Sequence, residues 1–235
     1  MSISEHISKQ FNAELEAVRS SVLQMGGLVE EQIEQAIQAL TTGNINLIEQ
    51  VIADDSRVND MEVSIDEICS QIIARRQPTA GDLRMIMAVI KTITDLERIG
   101  DEASKIARMA HLIYVTEHKR MPRFIEIRHV ANIALDMLRK SLDAFARLDV
   151  KTAAQVVRQD ELVDEEFRSI IRQLITSMME DPRMISTSLE ILFAAKAIER
   201  IGDHAKNMSE YVIYLVKGKD VRHVTVEEVE REVQQ

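Results

Sequence analysis

Apolar residues recur along most of this chain at steps of three and four, the period of an amphipathic helix. In the first stretch they are Ile7, Phe11, Leu15, Val18, Val22, Met25, Val29, Ile33, Ile37 and Leu40. That spacing predicts a helix from residue 4 or 5 to about 39, weakened midway at Gly26-Gly27 and closed by the turn Thr41-Thr42-Gly43-Asn44. A second helix is expected over 45–76, stopping before Gln77-Pro78 because a residue that precedes proline is pushed out of the helical region. A third is expected over 83–117, with Thr79 or Asp82 as its cap. Beyond Lys119-Arg120-Met121-Pro122-Arg123 the pattern resumes over 125–148, 152–180 and 184–216. Each of the first three helices is roughly 30 to 35 residues, near 50 Å long. No alternating strand pattern or Asn-Gly hairpin signal competes with them.

The six helices fall into two similar halves. Leu96-Glu97-Arg98-Ile99-Gly100-Asp101 and Ile198-Glu199-Arg200-Ile201-Gly202-Asp203 are two copies of one stretch. Glu97 and Glu199 lie as far apart along the chain as Asp101 and Asp203, the mark of a tandem duplication. The expected fold is therefore all-α: two tandem three-helix bundles over 1–118 and 123–218, followed by an acidic, frayed tail over 219–235.

Within each copy the two acids are four residues apart, stacked a turn apart on one helix face, where like charges repel by a few tenths of a kcal/mol. In the first copy that face also carries Leu83, Ile86, Ile90 and Ile93; in the second, Ile185, Leu192 and Ala195. Carboxylates on a core-side stripe must be paired, bind metal or take up a proton. Gly100 and Gly202 each forfeit about 1 kcal/mol of helix propensity, tolerable where another helix or a ligand approaches closely.

The second helix adds a further acidic strip of Asp55, Asn59, Glu62 and Asp66. Aligning Val58 with Val163 puts Asp160 and Asp164 in the same place in the second half. Each half then has two facing pairs: Asp55 and Asn59 with Glu97 and Asp101, and Asp160 and Asp164 with Glu199 and Asp203. Carboxylate clusters without Cys or His suit hard cations such as Mg, Ca, Mn or oxidised iron. The competing reading neutralises the acids with Arg98, Arg200, Lys105 or Arg57. Glu126 and His129 form a Glu-x-x-His pair, but a ferritin-like di-iron site needs two such pairs and no second copy accompanies it. No catalytic residue is assigned: nucleophile motifs, phosphate loops and dinucleotide fingerprints are missing from the sequence.

Composition narrows the class. The chain is 46% hydrophobic and 29% charged, has no Trp and only 3 Pro, and carries a net charge of −10, which argues against nucleic acid as its main partner. The basic clusters Arg75-Arg76, Lys119-Arg120-Arg123 and Arg139-Lys140 read as solvated helix ends. Cys69 alone can form no intrachain disulfide and reads as a small buried hydrophobe. The polar opening Met1-Ser2-Ile3-Ser4-Glu5-His6 and the short apolar runs predict a cytoplasmic protein without a membrane span.

The paired Leu/Ile-Glu-Arg-Ile-Gly-Asp copies, Arg75-Arg76-Gln77-Pro78-Thr79-Ala80, Phe11-Asn12-Ala13-Glu14-Leu15, Leu142-Asp143-Ala144-Phe145-Ala146-Arg147 and Val216-Lys217-Gly218 closely resemble the bacterial PhoU family, accessory proteins of phosphate transport and signalling. The resemblance runs over essentially the whole chain. It implies two three-helix bundles with a multinuclear metal cluster in each, iron in some members. The ligands would be Asp55, Glu97 and Asp101 in one half, and Asp160, Asp164, Glu199 and Asp203 in the other. Asn59 departs from the acidic pattern, so the first site is expected to be less charged, weaker or differently loaded. It further implies a homodimeric, non-catalytic regulator of phosphate homeostasis at the inner membrane's cytoplasmic face. In that role it restrains a phosphate-sensing histidine kinase and the ATPase subunit of the phosphate ABC transporter. The alternative class is a helical metalloenzyme with carboxylate-bridged metals.

Overall fold

A computed structural model describes residues 9–115 and 125–234. Its helices are α1 (Lys9–Thr42), α2 (Ile45–Arg76), α3 (Ala80–Val115), α4 (Ile125–Arg147), α5 (Val150–Glu180), α6 (Ile185–Lys217) and α7 (Val226–Gln234). No strand occurs among the described residues. The expected first turn of α1, the end of α3, His6, His118 and the break around Pro122 lie outside them.

Local chemistry sets the helix ends. The Asn44 side chain accepts from the Leu47 amide at 3.3 Å and opens α2. Asp149 accepts from the amides of Lys151 and Thr152, so the segment expected to be a linker is the cap of α5, which begins at Val150. An N-cap carboxylate satisfies amides that the helix leaves unpaired. Leu148 adopts a left-handed φ of +55°, ending α4 one residue early. Thr79 accepts the Leu83 amide through its carbonyl, so α3 begins at Ala80. Asp181-Pro182 closes α5 as expected, with a short 3₁₀ turn before α6.

The C-terminal segment corrects one expectation. Residues 226–234 are helical, not frayed. Val226, Val229 and Val233 make a narrow apolar stripe that packs on α5, with Val229 fully buried. Arg158 of α5 pairs with Glu230 at the same contact.

In each half all three helices pack on one another, α1 to α3 in the first and α4 to α6 in the second. The halves join along α3 and α6, supported by a crossing of α1 with α4. At that crossing a Cβ on Gly26 would lie 2.5 Å from Leu142 Cδ2, so the glycine admits the leucine. The α3–α6 seam is antiparallel: Lys91 lies over the Tyr211 ring, Asp95 meets His204 and Glu102 meets Arg200. Buried Leu96, Ile99, Ala103, Ile198, Ile201 and Ala205 belong to one core that runs through both halves. His204 therefore bonds to the opposite half, not to an acid of its own.

Candidate metal centre

Each glycine predicted for close approach admits a neighbouring helix. A Cβ at Gly100 would stand 3.3 Å from Val58 Cγ1 and 3.2 Å from Gln32 Oε1; at Gly202 it would stand 3.4 Å from Val163 Cγ1. This contact sets α2 against α3, and α5 against α6, so that the acids on either side face each other.

The first half gathers Asp55 and Glu62 from α2 with Glu97 and Asp101 from α3. Burial holds the Glu97 carboxyl above the usual range, reinforced by the charge of Asp101, opposed by Arg98, and raised further by Glu62 and Asp55. Arg98 lies 3.6 Å from Glu97 and 3.9 Å from Asp101 and is largely in solvent, a weak form of neutralisation. Arg57 pairs with Asp54, and Lys105 and Arg200 go to Glu102. Of the four cations considered from the sequence, only Arg98 reaches this cluster. Asp66 is exposed and contributes to the field at Cys69, whose thiol is pushed up to about 11 mainly by burial.

Two amide side chains complete this half. Gln32, 3% exposed, donates to Asp55 Oδ1 and to the Val51 carbonyl at 3.4 Å each. Its own Oε1 and the Oδ1 of Asn59 are buried without a hydrogen-bond partner. An orphaned buried oxygen is costly unless something outside the chain pairs with it. The set of carboxylate and amide oxygens suits a hard cation. Sequence patterning missed Gln32 because it lies on the apolar stripe of α1.

The second half gathers all four predicted acids. Asp203 is pushed up to about 6 by burial, then by the charges of Glu199 and Asp160, with Lys196 opposing and Asp164 adding. Here the chain supplies its own cations. Lys196 Nζ lies 2.6 and 2.5 Å from the two Glu199 oxygens, Lys206 Nζ 2.7 Å from Asp160, and Arg168 3.3 Å from Asp164. Neither lysine stands out in the sequence, although Lys196 stands three residues before Glu199. Among the described residues no three acids, histidines or cysteines converge as a ready metal cage, in the first cluster or in the second. His129 approaches Glu166 at 3.9 Å.

Near the second cluster, Glu210 is 5% exposed and pushed up to about 7, chiefly by burial, with Lys206 and Arg222 opposing and Asp160 and Asp220 adding. A carboxyl raised in this way binds its proton more tightly folded than unfolded. Its contribution to stability is full below the unfolded value near 4.5 and is lost as pH rises to about 7. Glu210→Gln should therefore gain roughly 3 kcal/mol over the parent at pH 8, and little at pH 4.5. Urea unfolding at the two pH values checks this, and equal stabilities at pH 8 would refute it.

A family model described as "PhoU domain" matches this chain twice, over residues 22–110 and 127–212. The chain belongs to the PhoU family. It is 51% identical over 234 residues to a phosphate-specific transport system accessory protein PhoU homolog of Pseudomonas putida, covering 99% of this chain and 91% of the relative. It is 47% identical over 231 residues to the accessory protein PhoU of Escherichia coli K12, with 98% and 95% covered. The crystal structure of PhoU from Pseudomonas aeruginosa superposes with a TM-score of 0.85 at 50% identity, over 89% of this chain and all of that one. A phosphate transport system regulatory protein PhoU from Streptococcus pneumoniae superposes at 0.83 with 26% identity, over 90% and 99% of the two chains. Two successive PhoU matches agree with the repeat read from the paired Glu-Arg-Ile-Gly-Asp stretches.

Proposed function

We propose that this PhoU protein is a non-catalytic regulator of phosphate supply. In excess phosphate it restrains a phosphate-specific ABC transporter through the ATPase subunit and holds a phosphate-sensing histidine kinase in its repressing state. The observation that supports this most strongly is the match over nearly the whole chain to phosphate-specific transport system accessory proteins. No helix among the described residues is long and apolar enough to cross a membrane. In this reading it works at the cytoplasmic face as a homodimer, held there peripherally through those partners. Carboxylate-held cations, iron or another hard ion such as Mg or Mn, are part of this reading. Asp55, Asn59, Glu97, Asp101 and the orphaned oxygen of Gln32 would hold such an ion, which would neutralise their mutual repulsion and tie α1, α2 and α3 together.

The direct test is interferometry of the purified chain against the purified ATPase subunit and the cytoplasmic part of the kinase. Saturable binding to both supports the proposal. Binding to neither overturns it.

A further inference from the structure

The two acidic clusters stand at equivalent places in the duplicated fold, but their neighbours differ in one consistent direction. At the register of Lys196 and Lys206 the first half has Thr94 and Ser104. Where the first half has Glu62, the second has Phe167, and the Lys196 ammonium lies 5.4 Å from that ring centroid. Where Gln32 approaches Gly100, Met137 Sδ approaches Gly202, at 3.7 Å from its notional Cβ. The first half is thus rich in oxygen donors and, among the described residues, has no lysine in the cluster. Its counterpart has exchanged two oxygen-bearing side chains for apolar ones and gained two ammonium groups.

These exchanges act together. A hard cation requires several oxygen ligands at once; a thioether is a soft donor, and a phenyl ring donates no oxygen. An ammonium beside a carboxylate supplies the positive charge that a metal otherwise brings, and a neighbouring aromatic face adds to its attraction. Lys196 engages both oxygens of Glu199, Lys206 takes Asp160 and Arg168 takes Asp164. In the first half the only ion-pair partner of Glu97 and Asp101 among the described residues is the solvent-facing Arg98. Gln32 Oε1 and Asn59 Oδ1 stay buried and unpartnered.

We propose that only the first cluster, around Asp55, Asn59, Glu97 and Asp101, takes a metal ion, and that in the second Lys196 and Lys206 stand in for one. The duplicated halves then have unequal roles: a half that can load and release a cation, and a half with a permanent internal one. This reverses the order expected from Asn59 alone. It rests on the proposal that this PhoU protein carries carboxylate-bound cations, and the experiment separates the two.

The full chain, purified without an affinity tag and stripped of metal, is titrated with Mn²⁺ while free Mn²⁺ is followed by electron paramagnetic resonance. The parent is compared with Glu97→Gln/Asp101→Asn, Glu199→Gln/Asp203→Asn and Lys196→Thr/Lys206→Ser, each shown to be folded by circular dichroism. The parent should bind Mn²⁺ in one set, weakened at least about tenfold in the first variant and within about twofold of parent in the second. The lysine variant should gain a second set. A metal-free melt gives an independent readout: Glu97→Gln/Asp101→Asn should melt higher than parent, because it relieves repulsion without stranding a lysine. If Glu199→Gln/Asp203→Asn removes Mn²⁺ from the parent set, the inequality is overturned while the metal reading stands. Absence of Mn²⁺ binding in both parent and lysine variant overturns the metal reading and this inference with it.

Discussion

Replacing Phe145 by alanine should lower the midpoint of thermal unfolding by roughly 6 to 20 °C. Phe145 is 2% exposed and among the largest fully buried side chains. It sits in the last turns of α4, in the core that runs through both halves. Removing a buried phenyl ring loses its transfer free energy and leaves a cavity, together about 3 to 5 kcal/mol. In a chain of this size each kcal/mol shifts the midpoint by about 2 to 4 °C. Leu142, one turn earlier, is already held by its contact with Gly26, so it cannot swing into the space. Phe145→Leu keeps most of the volume and should lose less than half as much. A Phe145→Ala midpoint within about 3 °C of the parent would mean that the core around the end of α4 collapses readily into the space.

The second large effect is at the seam between the halves. Asp95 is 7% exposed; its Oδ1 accepts from His204 Nδ1 at 2.6 Å and from Asn207 Nδ2 at 3.2 Å, and its charge adds to the burial that holds the Tyr211 phenol above its usual range. Both donors are on α6, so one carboxylate of the first half organises two side chains of the second. Asp95→Ala leaves them facing an apolar gap, and breaking a buried charged network costs about 3 kcal/mol. The loss should be much the same at low and moderate salt, since a buried pair is little screened. In a double-mutant cycle with His204→Ala the coupling should be about 1 to 3 kcal/mol. Additive effects would show that the contact holds nothing together.

The seam also marks where sequence reading stopped. Helical period, the prolines at breaks and the duplicated Glu-Arg-Ile-Gly-Asp stretch were legible because they are local or repeated. So was the meeting of Asp160 and Asp164 with Glu199 and Asp203, since the face of each helix and the order of helices leave little choice. What periodicity cannot encode is which polar residues pair between non-neighbouring elements. Asp95 and His204 are 109 positions apart, and each reads alone as an unremarkable polar interruption. Lys196 and Lys206 were overlooked for another reason: a long flexible stem lets an ammonium reach acids off its own stripe, as Lys206 does to Asp160 on α5. Leu83 and Ile185, expected on the core stripe, are 39% and 43% exposed, because that stripe leads from the core at its middle to the acids and the open helix tips. The α7 stripe was too short to stand out beside runs of glutamate.

The measurement that bears most directly on the central claim is expression from a phosphate-starvation promoter in cells grown in excess phosphate, with and without this chain. Cells lacking it should express the reporter strongly despite the phosphate, and restoring the chain from a plasmid should silence it. Equal, low expression in both strains would contradict a role for this PhoU protein in repressing the phosphate-starvation response.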